Sequence, residues 1–261
     1  VSGFNKNVKI YNNIITKAPY DQKTWDFAIE LWNSMGGIEI YDNTITSAID
    51  FSGWYGSRKG SYDYSVWVHD NIIGPNVAGG LDAIYFEVYA EDVIIERNTI
   101  KNFAAGIALN LYKGDLGIPC SILNFNVRYN IFNIVGTQVI LGNYPDGYGI
   151  AFSTSLTNNI IDNFNIYNNV FSGTKGTAAT MWGVEIPDVG KATNVRIRNN
   201  IIQGFSSYPL YGRSGSVDYL YIENNLFYNN GNNNPEYSGL SSNHVTEQNN
   251  IIGNPLFVSS S

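Results

Sequence analysis

The feature that most constrains this chain is a short motif that recurs along its whole length. Its best-defined letter is an Asn that occurs nine times, at intervals of 25 to 39 residues, as Asn13, Asn43, Asn71, Asn98, Asn130, Asn169, Asn200, Asn225 and Asn250. In the first eight repeats apolar residues stand five and three positions before this Asn, as Val8 and Ile10 do in the first. A further apolar residue stands two positions after it, such as Ile15. Period two is typical of a strand with one buried face, so each repeat predicts a first strand, a polar corner and another strand.

One such repeat is too small to bury its apolar face alone, so it must stack on its neighbours. Equivalent residues of successive repeats would then lie about 4.8 Å apart, the spacing of strands in a sheet. We expect the nine Asn side chains to form a hydrogen-bonded column and to tolerate the left-handed backbone of a tight corner. This interpretation gives the column a structural role rather than a functional one.

The repeat and the closing stretch "NNIIGNPLFV" resemble those of right-handed parallel β-helix proteins, the pectate-lyase-like superfamily with parallel beta-helix repeats. The resemblance covers essentially the whole chain. It implies an all-β, single-domain solenoid of about nine coils over residues 1–261, which we expect to be excised from, or part of, a longer chain. It also implies polysaccharide binding over a second, less regular strand that comes later in each repeat, although the chain contains no lyase motif of that family. One fold hosts many activities, so the function must be argued from the residues.

A second strand follows each corner at a variable distance, as in "FAIELW", "AIDFSGW", "AIYFEVY" and "GIALNLY". Alternation predicts three outward rows of side chains. One row contains Glu30, Ser52, Glu87, Asn110, Ser153 or Ser155, and Glu185. The row two residues later contains Trp32, Trp54, Tyr89 and Tyr112, and the row two residues earlier contains Ala28, Asp50, Tyr85 and Ala108.

Exposed aromatic side chains at strand spacing favour carbohydrate binding, because pyranose rings stack on aromatic faces and soluble proteins seldom leave such a strip uncovered. The candidate carbohydrate-binding residues are Trp32, Trp54, Tyr85, Tyr89, Tyr112, Asn110 and Glu185. The alternative is that loops such as residues 52–65 fold back and bury the strip.

Three carboxylates on this face are candidate catalytic residues: Glu30, Asp50 and Glu87. Glycosidases use carboxyl pairs about 5–9.5 Å apart, which neighbouring strands permit. A solvated outward face is the alternative explanation for them. Asp26 and Asp82 stand at strand entrances, where they either cap turns or contribute to a Ca²⁺ site together with the other carboxylates.

From these residues we predict an extracellular enzyme that acts on a polysaccharide, either a glycoside hydrolase or a polysaccharide lyase. A lyase would also need a cation beside the substrate carboxylate, for which Lys113, Arg58 and Lys59 are the candidates. A non-catalytic polysaccharide-binding or adhesion module that uses the aromatic strip is the alternative. A third hypothesis is a structural stalk.

The composition of the chain restricts the classes of partner and ligand that it can bind. The net charge is −7, so a neutral glycan is favoured over a uronate, and no basic stretch could neutralise the phosphates of a nucleic acid. One Cys and two His are too few for a usual zinc site. No apolar run approaches the roughly 20 residues that span a bilayer. We therefore expect a secreted or cell-surface monomer.

Overall fold

A computed structural model describes residues 4–16, 27–75, 82–111, 120–136, 146–154, 160–175, 180–186, 191–212, 215–238, 240–242 and 244–257. In these residues the protein is all-β, without a helix, as predicted. It follows that they contain no helix long and apolar enough to cross a membrane.

The strands fall into three sets that alternate along the chain. The first strands, which precede the recurring Asn, are β1 (Lys9–Tyr11), β4 (Ile38–Tyr41), β7 (Val66–His69), β10 (Tyr89–Glu96), β13 (Ser121–Arg128), β16 (Ile160–Tyr167), β19 (Lys191–Arg198), β22 (Gly215–Glu223) and β25 (Val245–Gln248). The short strands, which follow it, are β2 (Ile14–Ile15), β5 (Thr44–Ile45), β8 (Ile72–Ile73), β11 (Thr99–Phe103), β14 (Ile131–Gly136), β17 (Val170–Lys175), β20 (Ile201–Gln203), β23 (Leu226–Tyr228) and β26 (Ile251–Ile252). The second strands are β3 (Phe27–Met35), β6 (Ala48–Arg58), β9 (Asp82–Glu87), β12 (Ala105–Leu111), β15 (Asp146–Thr154), β18 (Thr180–Ile186), β21 (Tyr208–Gly212) and β24 (Leu240–Ser242).

Strands of one set pair in parallel with their counterparts in the neighbouring repeats. The short strands form a nine-stranded sheet in the order β2-β5-β8-β11-β14-β17-β20-β23-β26. The first and second strands together form a 17-stranded sheet, because some strands continue around the corner between the two sets and pair with both, as where Ala90 of β10 pairs with Ser57 of β6. This parallel pairing of each strand with its equivalent in the next repeat is compatible with a parallel β-helix.

The core lies between these sheets and consists of the inward residues of the predicted alternation. Ile38 and Ile40, from a first strand, are fully buried. Aromatic residues of consecutive repeats also stack in the core, as Phe132 and Phe171 do with ring centroids 4.5 Å apart. Regular inward side chains at strand spacing therefore hold successive repeats in register.

The predicted Asn column is confirmed. Asn98, for example, donates its backbone N–H and its side-chain Nδ2–H to Oδ1 of Asn130, at 2.9 and 3.1 Å. Its Nδ2 also donates to the carbonyl oxygens of Val68 and Glu96. The same pairing runs from Asn13 to Asn250 and satisfies buried amides that would otherwise be costly.

The expected backbone of the column residues is wrong in one respect. The left-handed residue is the one before each column Asn, for instance Asp42 with φ 53°, Arg97 with φ 55° and Tyr129 with φ 58°. The chain turns at this preceding position. The column Asn can therefore donate both its backbone N–H and its side-chain Nδ2–H to the next Asn of the column.

Candidate functional site

The candidate site lies on the outward face of β3, β6 and β9. Phe51 stacks on Phe86 in the core, with ring centroids 4.7 Å apart, and this contact aligns two of the strands. In that register Asp50 lies beside Tyr85, and in the register of β3 with β6 Glu30 lies beside Asp50. The three catalytic candidates therefore lie on consecutive strands, as predicted, since the third belongs to β9.

Among β3, β6, β9 and β12, only β3 departs from the predicted outward rows, and it is offset by two residues. Glu30 lies beside Asp50 instead of Ser52, and Trp32 lies beside Ser52, so Glu30 and Glu87 are not in one row. Glu87 lies beside Asn110, as predicted. Alternation fixes the face of the sheet that a side chain takes, but a shift of two residues preserves that face. Only the packing of the inward side chains decides the offset.

Asp50 is the most deeply buried of the three catalytic candidates. It is 2% exposed although its position faces outward. Burial raises its pKa to about 7, and the charges of Glu87, Glu30 and Asp82 act in the same direction against one hydrogen bond that favours ionisation. That bond is donated by Ser52 Oγ to Asp50 Oδ2 at 2.6 Å. Asp50 Oδ1 has no hydrogen-bond partner among the residues that the structure describes.

The two neighbouring carboxylates differ in their distance from Asp50. Glu30 is exposed and its Cα lies one strand spacing away, about 5 Å. Glu87 is half-buried and diagonal to Asp50 on the next strand, at about 7–8 Å. A buried carboxyl that keeps its proton near neutral pH, beside accessible carboxylates, can act as a general acid.

Asp82, one of the two carboxyls predicted to lie at strand entrances, is half-buried, and burial raises its pKa to about 7. Within the described ranges, no three His, Cys, Asp or Glu side chains are grouped so that they could hold a metal ion. Asp26 lies outside the described residues, so a calcium site that includes it stays a prediction.

Two of the predicted aromatic residues are exposed on this face. Trp32 and Trp54 are 46% and 47% exposed. Trp54 lies in a stretch of β6 that has no partner in β3, because the register shifts between Trp32 and Ser34. Asn33 Oδ1 accepts the backbone N–H of Tyr55 at 2.9 Å and anchors this stretch. The two Trp side chains are therefore not neighbours in a single row.

Tyr85 is buried rather than exposed. Its ring stacks on Phe27 at a centroid distance of 6.1 Å, and its hydroxyl accepts a hydrogen bond from Asn110 Nδ2 at 2.5 Å. Asn110 is half-buried. Both residues thus form one side of the surroundings of Asp50, and their binding role stays a prediction.

Tyr89 does not belong to the predicted aromatic row. It opens β10, a first strand, where it pairs with Ser121. The guanidinium of Arg58 lies 3.8 Å from its ring centroid, and its hydroxyl donates to Glu91 at 2.7 Å. The row is wrong here because the chain turns the corner directly before Tyr89. Tyr112 lies outside the described residues.

A column of aromatic side chains that the predicted rows did not include covers the later second strands. Trp182 stacks on Tyr148 at 5.0 Å and on Tyr211 at 4.8 Å. Glu185, a predicted binding residue, lies beside Tyr211, is 2% exposed, and accepts the backbone N–H of Phe152 at 2.9 Å. Because the rings stack on one another, their faces are occupied within the column.

An aromatic residue followed by Gly is the sequence signal for this column. It occurs at Tyr148-Gly149 and Trp182-Gly183, just before the inward Ile150 and Val184. A Cβ on Gly149 would lie 2.2 Å from the carbonyl oxygen of Gly183. Only glycine permits this close approach, which turns the preceding aromatic side chain outward.

A second cluster of ionisable side chains lies on the outward face of the first strands, with His69, Glu39 and Glu96 buried and Asp70 and Arg97 exposed. His69 is 8% exposed, with Nδ1 2.7 Å from Asp70 Oδ2 and Nε2 3.3 Å from Glu39 Oε1. Arg97 bonds Asp70 and Glu96 at 2.8 and 2.5 Å. These groups are closely paired with one another, as expected for charges that stabilise a surface ladder.

No family model, no curated protein and no solved structure matches the chain.

Proposed function

We propose that the chain is a right-handed parallel β-helix of the pectate-lyase-like kind, a single-domain solenoid of about nine coils, that hydrolyses a polysaccharide on its second strands. The observation that carries the proposal is Asp50. This carboxyl sits 2% exposed on an outward face, with a pKa raised to about 7, between two strands that supply further carboxylates. Perturbed carboxyls of this type are typical of catalytic acids.

Asp50 would act as the general acid. In its protonated form it donates its proton to the oxygen of the glycosidic bond as that bond breaks. Its raised pKa keeps the proton in place near neutral pH. The negative charges of Glu30 and Glu87 help to retain that proton.

The second carboxylate is either Glu30 or Glu87, and the two make different stereochemical predictions. The Cα of Glu30 lies about 5 Å from that of Asp50, and carboxyl groups held at this spacing suit a nucleophile and retention of configuration. The Cα of Glu87 lies about 7–8 Å from that of Asp50, and carboxyl groups held at this spacing leave room for a water molecule and suit inversion.

A neutral glycan is the substrate class that the charges favour. Among the described residues of the second strands Arg58 is the only cation, and its guanidinium lies over Tyr89. Lys59 is paired with Asp92 at 3.6 Å. The lyase alternative therefore depends on Lys113, which lies outside the described residues. A uronate would meet several carboxylates on this face and is disfavoured.

The test is hydrolysis of a panel of neutral and uronic polysaccharides, followed through new reducing ends and through unsaturated ends that absorb ultraviolet light. We expect reducing ends from a neutral glycan, and loss of at least about 1,000-fold in kcat for D50N. D42N is the matched control, because Asp42 is an exposed carboxylate at a corner. Product configuration by NMR, with E30Q and E87Q, then identifies the second carboxylate. Wild-type turnover in D50N would refute the assignment.

A non-catalytic binding or adhesion module is the second candidate, favoured by the exposure of Trp32 and Trp54. A pull-down on insoluble glycan tests it. Retention of the glycan without turnover, lost in W32A and W54A, would support this module over the hydrolase. In either case we propose that the protein acts on or at the cell surface or after secretion, where polysaccharides are found.

A further inference from the structure

A stripe of mainly apolar side chains runs along the outward face of the nine-stranded sheet. The first residue of every short strand contributes to it, and the parallel register places these residues in one line. The stripe consists of Ile14, Thr44, Ile72, Thr99, Ile131, Val170, Ile201, Leu226 and Ile251. Four of its Ile side chains, at 14, 72, 131 and 251, are 81%, 44%, 46% and 60% exposed.

The core does not require this stripe. In the second to eighth repeats the next residue of the short strand fills the core, as the fully buried Ile45, Ile73 and Phe132 show. Polar residues could therefore occupy the outward position in every repeat, yet seven of nine repeats carry Ile, Val or Leu there and the other two carry Thr. Soluble monomers rarely expose a continuous apolar surface of this length.

The size of the stripe matches one side of a stable protein interface. Eight strand spacings give a length of about 38 Å, and the stripe with one outward row on each side is about 20 Å wide. The covered area is then roughly 750 Å² per partner. Specific interfaces bury about 800 Å² per partner.

The charges beside the stripe favour a second copy of the chain in one orientation. Arg97 and Lys101 flank the stripe on opposite sides of the same repeat. If two copies lay face to face with their repeats in the same order, Arg97 would oppose Lys101 of the second copy. With the repeats in opposite order, these cations instead meet Asn168 and Ser172 of the sixth repeat. Arg97 is already paired with Asp70 and Glu96 in its own chain. The parallel arrangement would add Lys101 of the second copy as a further cation beside this paired group, whereas the antiparallel arrangement places both basic side chains against uncharged residues.

We propose that two copies of this chain pack their nine-stranded sheets face to face, antiparallel, through the stripe. The fifth repeat lies on the two-fold axis, so Ile131 faces Ile131 of the second copy. The constant strand spacing lets every other row meet a row of the second copy as well. This dimer replaces the monomer expected from the sequence and does not depend on the proposed activity.

Sedimentation velocity on the full chain tests the proposal. We expect a species of twice 29.0 kDa at micromolar concentration. I131K should raise the dissociation constant at least about 100-fold, because it places two like charges against each other in an apolar contact. I160K is the matched control, since Ile160 is also 46% exposed but lies on a first strand, and it should leave the dimer intact.

Mixing variants tests whether the partner is a second copy. An equimolar mixture of I131K and I131E should restore the dimer, because opposite charges then face each other on the axis. I72K should likewise associate with I201E and not with I72E if the copies are antiparallel. A wild-type monomer at all concentrations, a dimer that survives I131K, or a mixture that fails to associate would overturn the proposal.

Discussion

Replacing Asp50 with Asn should remove a pH-dependent part of the free energy of unfolding. Asp50 is 2% exposed, and burial raises its pKa from 3.8 to about 7. The folded protein therefore holds this proton more tightly than the unfolded chain does. Its contribution to stability is fully present below pH 3.8 and is lost as the pH rises through about 7.

The magnitude follows from the two pKa values. Each pKa unit corresponds to 1.36 kcal/mol, so a pKa of about 7 instead of 3.8 amounts to about 4 kcal/mol. Solvent screening removes little of it, because the carboxyl is almost fully buried. Asn has nearly the same shape and never ionises. The free energy of unfolding of D50N minus that of the wild type should therefore increase by about 4 kcal/mol between pH 4 and pH 8.

Urea unfolding followed by Trp fluorescence at several pH values measures this difference. Titrating groups that do not interact with Asp50 are common to both proteins and cancel in the subtraction, whereas Glu87, Glu30 and Asp82, which interact with it, contribute a smaller remainder. D42N serves as the control, because Asp42 is exposed and has φ 53°, which Asn tolerates well. If the difference for D50N changed by less than about 1 kcal/mol over this range, the buried and protonated state of Asp50 would be refuted.

Three further predictions concern the site and the fold. S52A removes the hydrogen bond that lowers the pKa of the proposed acid, so the alkaline limb of the pH–rate profile should move to higher pH; an unchanged limb would contradict the assigned acid. W32A should weaken retention on insoluble glycan about tenfold, whereas Y129A, which removes an aromatic side chain 53% exposed at a corner, should have no effect in the same pull-down. N98A should lower the free energy of unfolding by about 3 kcal/mol in urea titrations, since it interrupts the buried column, and N250A at the end of the column should cost clearly less. Equal costs at the two positions would contradict the cooperative column.

The parts of the fold that repeat could be predicted from the sequence, because each is repeated nine times. The column of Asn side chains and the inward alternation of first strands such as Ile38–Tyr41 follow from spacing alone. The register of β3 against β6 could not be predicted in this way. Moving one strand by two residues keeps every side chain on its face, and only the pairing of the inward residues, Ile29 with Ile49 and Leu31 with Phe51, decides the offset.

The site residues were identifiable by type but not by surroundings. Alternation places Asp50 on the outward face, where a carboxylate would ordinarily be solvated, and gives no sign that it is buried. The predicted place of Tyr89 in the aromatic row was wrong for a related reason. The stretch "FEVY" continues the period of two across a corner at Val88, which has φ 64°. A strand that bends without a Gly or Pro leaves no local mark in the sequence.

The same repeat explains why the two proposed binding surfaces lie on faces of the molecule and not on the corners. At the corner the Asn column leaves no freedom, because every amide is already committed to its neighbours. On the second strands the outward residues vary from repeat to repeat, which allows a carboxyl such as Asp50 to acquire surroundings that differ from those of the equally buried Glu185. On the short strands, by contrast, the outward residue is apolar in seven of nine repeats, although the core does not require an apolar residue at that position. Outward residues that vary between repeats, as on the second strands, suit a specific ligand. Outward residues that stay apolar although the core does not require it, as on the short strands, suit a partner with the same repeat spacing, such as a second copy of the chain.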